Sequence, residues 1–158
     1  MRHALVLAIF AGCSPSATPV DAAADAGVET AVASACSRDT RAEAYVAGIE
    51  KKATSLTVKI VSATPAPPAK DANAWMVEVT DNASNGAITG AQVTVTPFMP
   101  DHGHGSSRTP VVTEKGSGKY EVNDVYLTMP GLWKTTISVA RPSAAAAEEV
   151  VFNFCVDG

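Results

Sequence analysis

Hydrophobic and polar residues alternate in short runs from residue 55 to the C-terminus. In the run 74–80, Trp75, Val77 and Val79 would face one side of a strand and the intervening residues the other, as in a half-buried strand. Residues that favour turns separate the runs, and this spacing predicts an all-β antiparallel sandwich of about seven strands. The predicted strands are residues 56–62, 74–80, 91–97, 110–114, 120–127, 132–140 and 150–156.

One short helix is predicted ahead of the strands, over residues 37–53. Ser37 is a residue type that caps helices, and Tyr45 and Ile49 are spaced as on one helical face. Thr40 and Gly48 have low helix propensity. We therefore expect a small helix that packs on the sandwich.

The N-terminus has the pattern of an export signal. Arg2 gives a positive start, an apolar run follows, and small residues lead to Cys13 in a way that resembles a bacterial lipobox. The run is far shorter than the ~20 apolar residues that span a membrane. We predict a lipoprotein signal peptide over residues 1–12 and a lipid on Cys13. Simple secretion without a lipid is the alternative.

Residues 13–35 are rich in Ala, Ser, Thr, Pro, Asp and Val and contain no aromatic residue. Such a segment cannot bury enough apolar surface to offset the entropy of ordering it. We predict a disordered tether here, followed by one folded domain over residues 36–158.

Two cysteines remain if Cys13 carries a lipid, and they lie at the two ends of the folded part. Export favours a disulfide between Cys36 and Cys155. Closing so long a loop would stabilise the fold by roughly 4–5 kcal/mol in the chain-entropy model. The alternative is two buried free thiols, and no CxxC spacing points to a cysteine metal site.

The net charge of −4 and the isoelectric point near 5.3 come without any basic run. Nothing in the sequence would attract a phosphate backbone. We therefore do not expect a nucleic-acid partner.

The segment after the third predicted strand concentrates metal-binding side chains. Met99, Asp101, His102 and His104 lie within six residues, among a proline and two glycines. Imidazoles one residue apart project to the same side of an extended chain, so one ion could contact both. Thioether and imidazole together favour copper, especially Cu(I), whereas imidazole with carboxylate also suits Cu(II) or zinc.

A second Met-Pro pair begins the segment Met129-Pro130-Gly131-Leu132-Trp133. If the sandwich brings the two loops together, a mixed Met/His site follows. Its predicted ligands are Met99, His102, His104 and Met129, with Asp101 and Trp133 surrounding them. In the alternative interpretation, His102 and His104 belong to a solvated polar loop, while Met129 and Trp133 belong to the core.

Catalytic motifs are missing from the sequence. There is no Ser/His/Asp pattern, no glycine-rich phosphate loop and no free Cys–His pair if the cysteines are bonded. Asp101 beside His102 is a poor acid/base pair, because sequence neighbours usually face apart. We therefore expect a protein without enzymatic activity.

The C-terminal two-thirds of the chain, from about Pro67 to Val156, resembles the YtkA-like domain family. The resemblance rests on the Met-Pro-Asp-His-Gly-His segment that starts at Met99, on Gly118-Lys119-Tyr120, and on the Met-Pro-Gly-Leu-Trp segment that starts at Met129. This family is similar in pattern to the FixH proteins, which are linked to copper handling. The resemblance implies an immunoglobulin-like sandwich, exported and membrane-tethered, with copper ligands at the four predicted positions.

The expected protein is an extracytoplasmic copper-binding lipoprotein that acts as a chaperone, buffer or sensor. It would reach the membrane through its lipid and exchange copper with a donor or acceptor protein. The alternative is a non-catalytic structural or interaction module that binds no metal.

Overall fold

The computed structural model describes residues 35–142 and 144–158. The predicted signal peptide, Cys13 and nearly all of the predicted tether lie outside the described residues. The described part forms two antiparallel sheets with strand orders β1-β2-β3-β7-β6 and β5-β4-β8-β9. The strands are β1 Ile49–Lys52, β2 Leu56–Thr64, β3 Asp71–Asp81, β4 Gln92–Met99, β5 His104–Gly105, β6 Val111–Gly116, β7 Lys119–Leu127, β8 Gly131–Ala140 and β9 Glu148–Val156.

The apolar residues of the alternating runs form the inner face of each sheet. Trp75, Val77 and Val79 are buried on β3, as predicted, and Phe152 and Phe154 are buried on β9 in the opposite sheet. The rings of Trp75 and Phe154 meet edge to face, with centroids 5.9 Å apart. Such contacts between large side chains of the two sheets supply most of the hydrophobic stabilisation. All seven predicted strands are present, so the all-β sandwich is confirmed.

The predicted helix over residues 37–53 is wrong. The chain forms one short 3-10 helix, Ala35–Arg38, then runs irregularly into β1, whose Ile49 pairs with Ile60 of β2. Gly48 has φ +85°, which ends any helix, and its N–H donates to the Ile60 carbonyl at 2.8 Å. Tyr45 and Ile49 do pack on the core. A four-residue separation also puts two residues on one side of an extended chain, so the spacing did not distinguish the two structures.

Cys36 and Cys155 are in contact. Their Cα atoms are 5.3 Å apart and their sulfur atoms lie at bonding distance. The pairing joins the 3-10 helix to the end of β9. The segment beyond it follows the free edge of β9, where the Glu43 N–H donates to the Asn153 carbonyl at 2.7 Å. Residues 36–45 are thus fastened to the sandwich without belonging to either sheet.

The two ends of the sandwich have different contents. One end carries the turn after β4 and the loop between β7 and β8, and it is called here the histidine end because His102 and His104 lie there. The opposite end, called the Arg141 end, carries the turns around Ser55 and Asp81 and the loop after β8. No helix in residues 35–142 and 144–158 is long and apolar enough to cross a membrane.

Candidate metal centre

The two histidines belong to a tight hairpin at the end of β4. The N–H groups of His102 and Gly103 both donate to the Met99 carbonyl, at 3.2 and 2.9 Å. Gly103 has φ +69°, which reverses the chain at little steric cost. The returning residue His104 then pairs with Met99 as the first residue of β5. The hairpin therefore fixes both histidines to the rigid sheet.

The imidazole rings of His102 and His104 lie close together in solvent. Their centroids are 5.8 Å apart and both residues are exposed. An ion bound to a histidine nitrogen at about 2.0–2.1 Å lies roughly 3 Å from the ring centre. The separation of the ring centres is close to twice that distance, as the sharing of one ion requires.

The hydrogen bonding of His104 leaves one ring nitrogen available. Its Nδ1 lies 2.9 Å from the Gly105 carbonyl, which can only accept, so in the neutral ring Nδ1 carries the proton and Nε2 has the lone pair. Metal-binding histidines usually have their second nitrogen held in this way. The ring also meets Trp133 edge to face, with centroids 6.3 Å apart. Backbone and core together orient this imidazole.

Met99 lies beneath the hairpin, inside the sandwich. Its side chain is 1% exposed and belongs to the hydrophobic core. The inward direction follows from the alternation along β4, whose odd-numbered residues from Val93 onward are buried. The terminal methyl of Met99 packs directly on Gly131, where a Cβ atom would lie only 2.6 Å from it. Gly131 also has φ +125°, a conformation that side chains rarely adopt, so backbone and packing both favour glycine there.

Met129 lies in the neighbouring loop and is 37% exposed. Its carbonyl accepts a hydrogen bond from the indole Nε1 of Trp133 at 2.9 Å. Trp133, which is fully buried, thereby contacts both the Met129 backbone and the His104 ring. The two Met-Pro loops do meet in space, through Trp133 and through the packing of Met99 on Gly131.

Asp101 is held by a residue that the sequence analysis did not single out. Arg41 donates from Nη1 and Nη2 to the two Asp101 carboxylate oxygens, each at 2.7 Å. These hydrogen bonds hold the pKa of Asp101 below its usual value. No sequence signal pointed to Arg41, because it lies sixty residues away in a segment predicted as helix. Gly131 was visible only as part of the second Met-Pro motif.

Within residues 35–142 and 144–158, no group of three or more His, Cys, Asp or Glu side chains could hold a metal ion. The ligand set predicted from the sequence adds the thioethers of Met99 and Met129 to the two imidazoles. This donor set suits Cu(I) better than zinc or the oxygen-seeking cations.

Two antiparallel sheets packed face to face define an immunoglobulin-like β-sandwich, and the hairpin with the two histidines lies at one end of it. The YtkA-like family model matches residues 50–138, which is more than half of the chain. The chain therefore belongs to the YtkA-like family, as its motifs predicted. A comparison with curated proteins gave no match.

Several solved structures are similar in outline at low sequence identity. A copper-bound variant of FetP from uropathogenic Escherichia coli strain F11 is 12% identical and has a TM-score of 0.48, over 72% of this chain and 92% of that one. A DUF4426 family protein from Pseudomonas aeruginosa PAO1 is 13% identical with a TM-score of 0.49, over 69% and 96%. The copper-reconstituted P19 protein from Campylobacter jejuni is 9% identical with a TM-score of 0.47, over 69% and 93%.

Proposed function

We propose that this chain is a non-enzymatic copper-binding protein of the cell envelope, which buffers, senses or passes on Cu(I). The observation that carries the proposal is the separation of 5.8 Å between the imidazoles of His102 and His104, both fixed on one hairpin above the Met99 thioether. His102 and His104 are the exposed ligands. Met129 completes the site from the neighbouring loop.

The fold positions each proposed ligand for copper. The Gly105 carbonyl holds the Nδ1 proton of His104, so its other nitrogen is a ready ligand. Met99 approaches from the core, where water does not compete for its sulfur. Copper, when bound, supplies the soft cation that such a mixture of thioether and imidazole prefers. Exposed histidines let a partner protein reach the ion and exchange it.

The proposed location is outside the cytoplasm, with a lipid on Cys13 as the membrane anchor. The contact of Cys36 with Cys155 supports it, because disulfides persist in oxidising compartments. We propose that this pair is oxidised in the mature protein.

Competition with a chromogenic chelator tests the copper proposal. Purified protein should take up one Cu(I) equivalent, and the double substitution His102→Ala and His104→Ala should abolish the uptake. Protons compete with the metal for its ligands, so Cu(I) binding should weaken as the pH falls. Unchanged uptake by the double variant would exclude this site.

The contribution of each thioether is tested with a matched control. Met129→Leu should weaken Cu(I) binding, whereas Met76→Leu should not, because Met76 lies on β3 in the other sheet. Met99→Leu keeps most of the buried volume and reports on the sulfur beneath the hairpin. Equal affinities for the Met129 and Met76 variants would remove Met129 from the ligand set.

A module for protein contacts, without metal, is the second candidate. The complete burial of Met99 favours it, as does the partial exposure of Phe98 and Met129 beside the hairpin. Such a module would use His102 and His104 as hydrogen-bonding groups. Failure of the parent protein to bind Cu(I) would favour this function.

A further inference from the structure

Arg41 lies between two carboxylates at the histidine end. Its Nη1 and Nη2 reach both oxygens of Asp101 at 2.7 Å. Its Nε and Nη2 also donate to the two oxygens of Asp39, at 3.0 and 2.7 Å. The guanidinium is thus engaged on two sides, and planar paired contacts of this kind are the strong form of the arginine–carboxylate interaction.

The segment that carries Arg41 is fastened on both sides of it. Cys36 is joined to Cys155, and Glu43 exchanges two hydrogen bonds with Asn153, one from each backbone N–H. Asp39 braces the guanidinium from within the same segment, and its side chain is only 15% exposed. Arg41 therefore meets the hairpin from a fixed position.

Asp101 is the one carboxylate within the hairpin, and it directly precedes His102. A free carboxylate there would add a hard, anionic donor to the two imidazoles. Such a donor set suits zinc and Cu(II), whereas neutral imidazole and thioether donors suit Cu(I). With both oxygens engaged by a cation, Asp101 is withheld from any ion bound at the histidines. Repulsion by the guanidinium is also larger for a divalent ion than for a monovalent one.

We propose that Arg41 is a specificity-determining residue of the metal centre: by holding Asp101 it favours Cu(I) over divalent cations. This inference rests on the proposed copper function, because it assigns a selectivity to that same site. It concerns a ratio of affinities, whereas the proposed function concerns whether Cu(I) binds at all.

The test compares Zn(II) and Cu(I) affinities of the full protein and its variants by competition with chelators. Arg41→Ala should raise the Zn(II) affinity by about tenfold or more, the scale on which groups that hold ligands act, and should change the Cu(I) affinity by less than about threefold. Adding Asp101→Asn to Arg41→Ala should return the Zn(II) affinity to the parent value. A purely structural role for Arg41 would not produce this reversal.

Arg108 provides a matched control. It pairs with Asp124 at 3.2 Å, and its side chain and that of Asp124 are 54% and 45% exposed, against 52% and 47% for Arg41 and Asp101. Arg108→Ala should leave both affinities unchanged. Unaltered or weaker Zn(II) binding by Arg41→Ala would overturn the inference, as would a gain of the same size from Arg108→Ala. If the parent bound no Cu(I), the proposed function would fail, and the Zn(II) measurements would still decide whether Arg41 withholds the carboxylate.

Discussion

The two ends of the sandwich each contain an arginine–aspartate pair, and the pairs are built into the fold to different degrees. At the Arg141 end, the side chains of Arg141 and Asp81 are 18% and 26% exposed. At the histidine end, those of Arg41 and Asp101 are about half exposed. The same type of ion pair is therefore partly buried within the fold at one end and exposed on a loop at the other.

The surroundings account for the difference. Asp81 also accepts hydrogen bonds from the backbone N–H groups of Ala83 and Ser84, and Arg141 donates to the Ser55 carbonyl at 2.6 Å. Ser55 is bound in turn by Glu148. This network joins turns of both sheets. Asp101, by contrast, is bound by Arg41 on an exposed hairpin, where an ion pair contributes less to stability. The role we propose for this pair is to withhold Asp101 from a metal ion.

The largest effect on stability is expected from the core beneath the histidine end. Trp133→Ala should lower the free energy of unfolding by about 3–5 kcal/mol, because it empties a fully buried site. Urea denaturation measures the loss. Trp133→Phe is the control: it keeps most of the volume and should cost less, chiefly through the lost hydrogen bond to the Met129 carbonyl. A loss below about 1 kcal/mol for the alanine variant would show that the hairpin does not rest on this side chain.

Substitution of Arg141 should have the next largest effect on stability. Arg141→Ala deprives Asp81 of its cation and the Ser55 carbonyl of a donor, so its thermal midpoint should fall clearly below that of the parent. Arg141→Lys retains the charge but not the two-sided contact, and should give an intermediate midpoint. Midpoints equal to the parent for both variants would contradict a structural role for this pair.

Acid should weaken the Arg141 end through Asp81. The pKa of Asp81 lies below its usual 3.8, first because of the hydrogen bond from Arg141 and then because of those from Ser84. A lowered pKa means that the unfolded chain binds more protons, so this stabilisation is complete above pH 3.8 and is lost as the pH falls through the folded-state pKa. The urea midpoints of the parent and Asp81→Asn should differ by a constant amount above about pH 5 and converge below about pH 4. A difference that persists at lower pH would show that Asp81 does not carry the effect.

The smallest effect on stability is expected from the exposed arginine. Arg41→Ala should lower the thermal midpoint by less than Arg141→Ala does, and Arg108→Ala should leave it unchanged within experimental error, because exposed ion pairs contribute little. Differential scanning calorimetry measures both. A large drop for Arg41→Ala alone would make the Arg41 pair structural too and would remove the contrast between the two ends.

The strands were predictable because their evidence is local. Alternation in 74–80 identifies the buried face of β3 without knowledge of its neighbours, and the turn residues mark the strand ends. The helix prediction for residues 37–53 was wrong because the spacing of Tyr45 and Ile49 is equally compatible with a helix and with an extended chain. The structure forms instead through contacts that the sequence does not reveal: Ile49 pairs with Ile60 of β2, and Glu43 is bound at the edge of β9.

The candidate site was predictable in part for the same reason. His102 and His104 are two residues apart in the sequence, but the chain between them is not extended: the turn at Gly103 brings their rings together. Met99 is buried because its face of β4 meets the core, and Met129 is partly exposed because of the course of its loop. Neither property could be inferred from the spacing of residues in the sequence. The contact of Arg41 with Asp101 joins two segments sixty residues apart, and the first of them is held to the sandwich by the Cys36–Cys155 pairing and by the edge of β9.

The fastening of residues 36–45 outside both sheets has a consequence for the order of maturation. Both sheets could form, and the hairpin with them, before Cys36 meets Cys155. Under the proposed function and location, a newly exported chain would then present its histidines together with an Asp101 that Arg41 does not yet hold, and it would acquire the proposed preference for Cu(I) only on oxidation of the two cysteines. Oxidation of Cys36 and Cys155 and binding of the first metal ion would then compete, and the identity of the bound ion would depend on which of these two events occurs first.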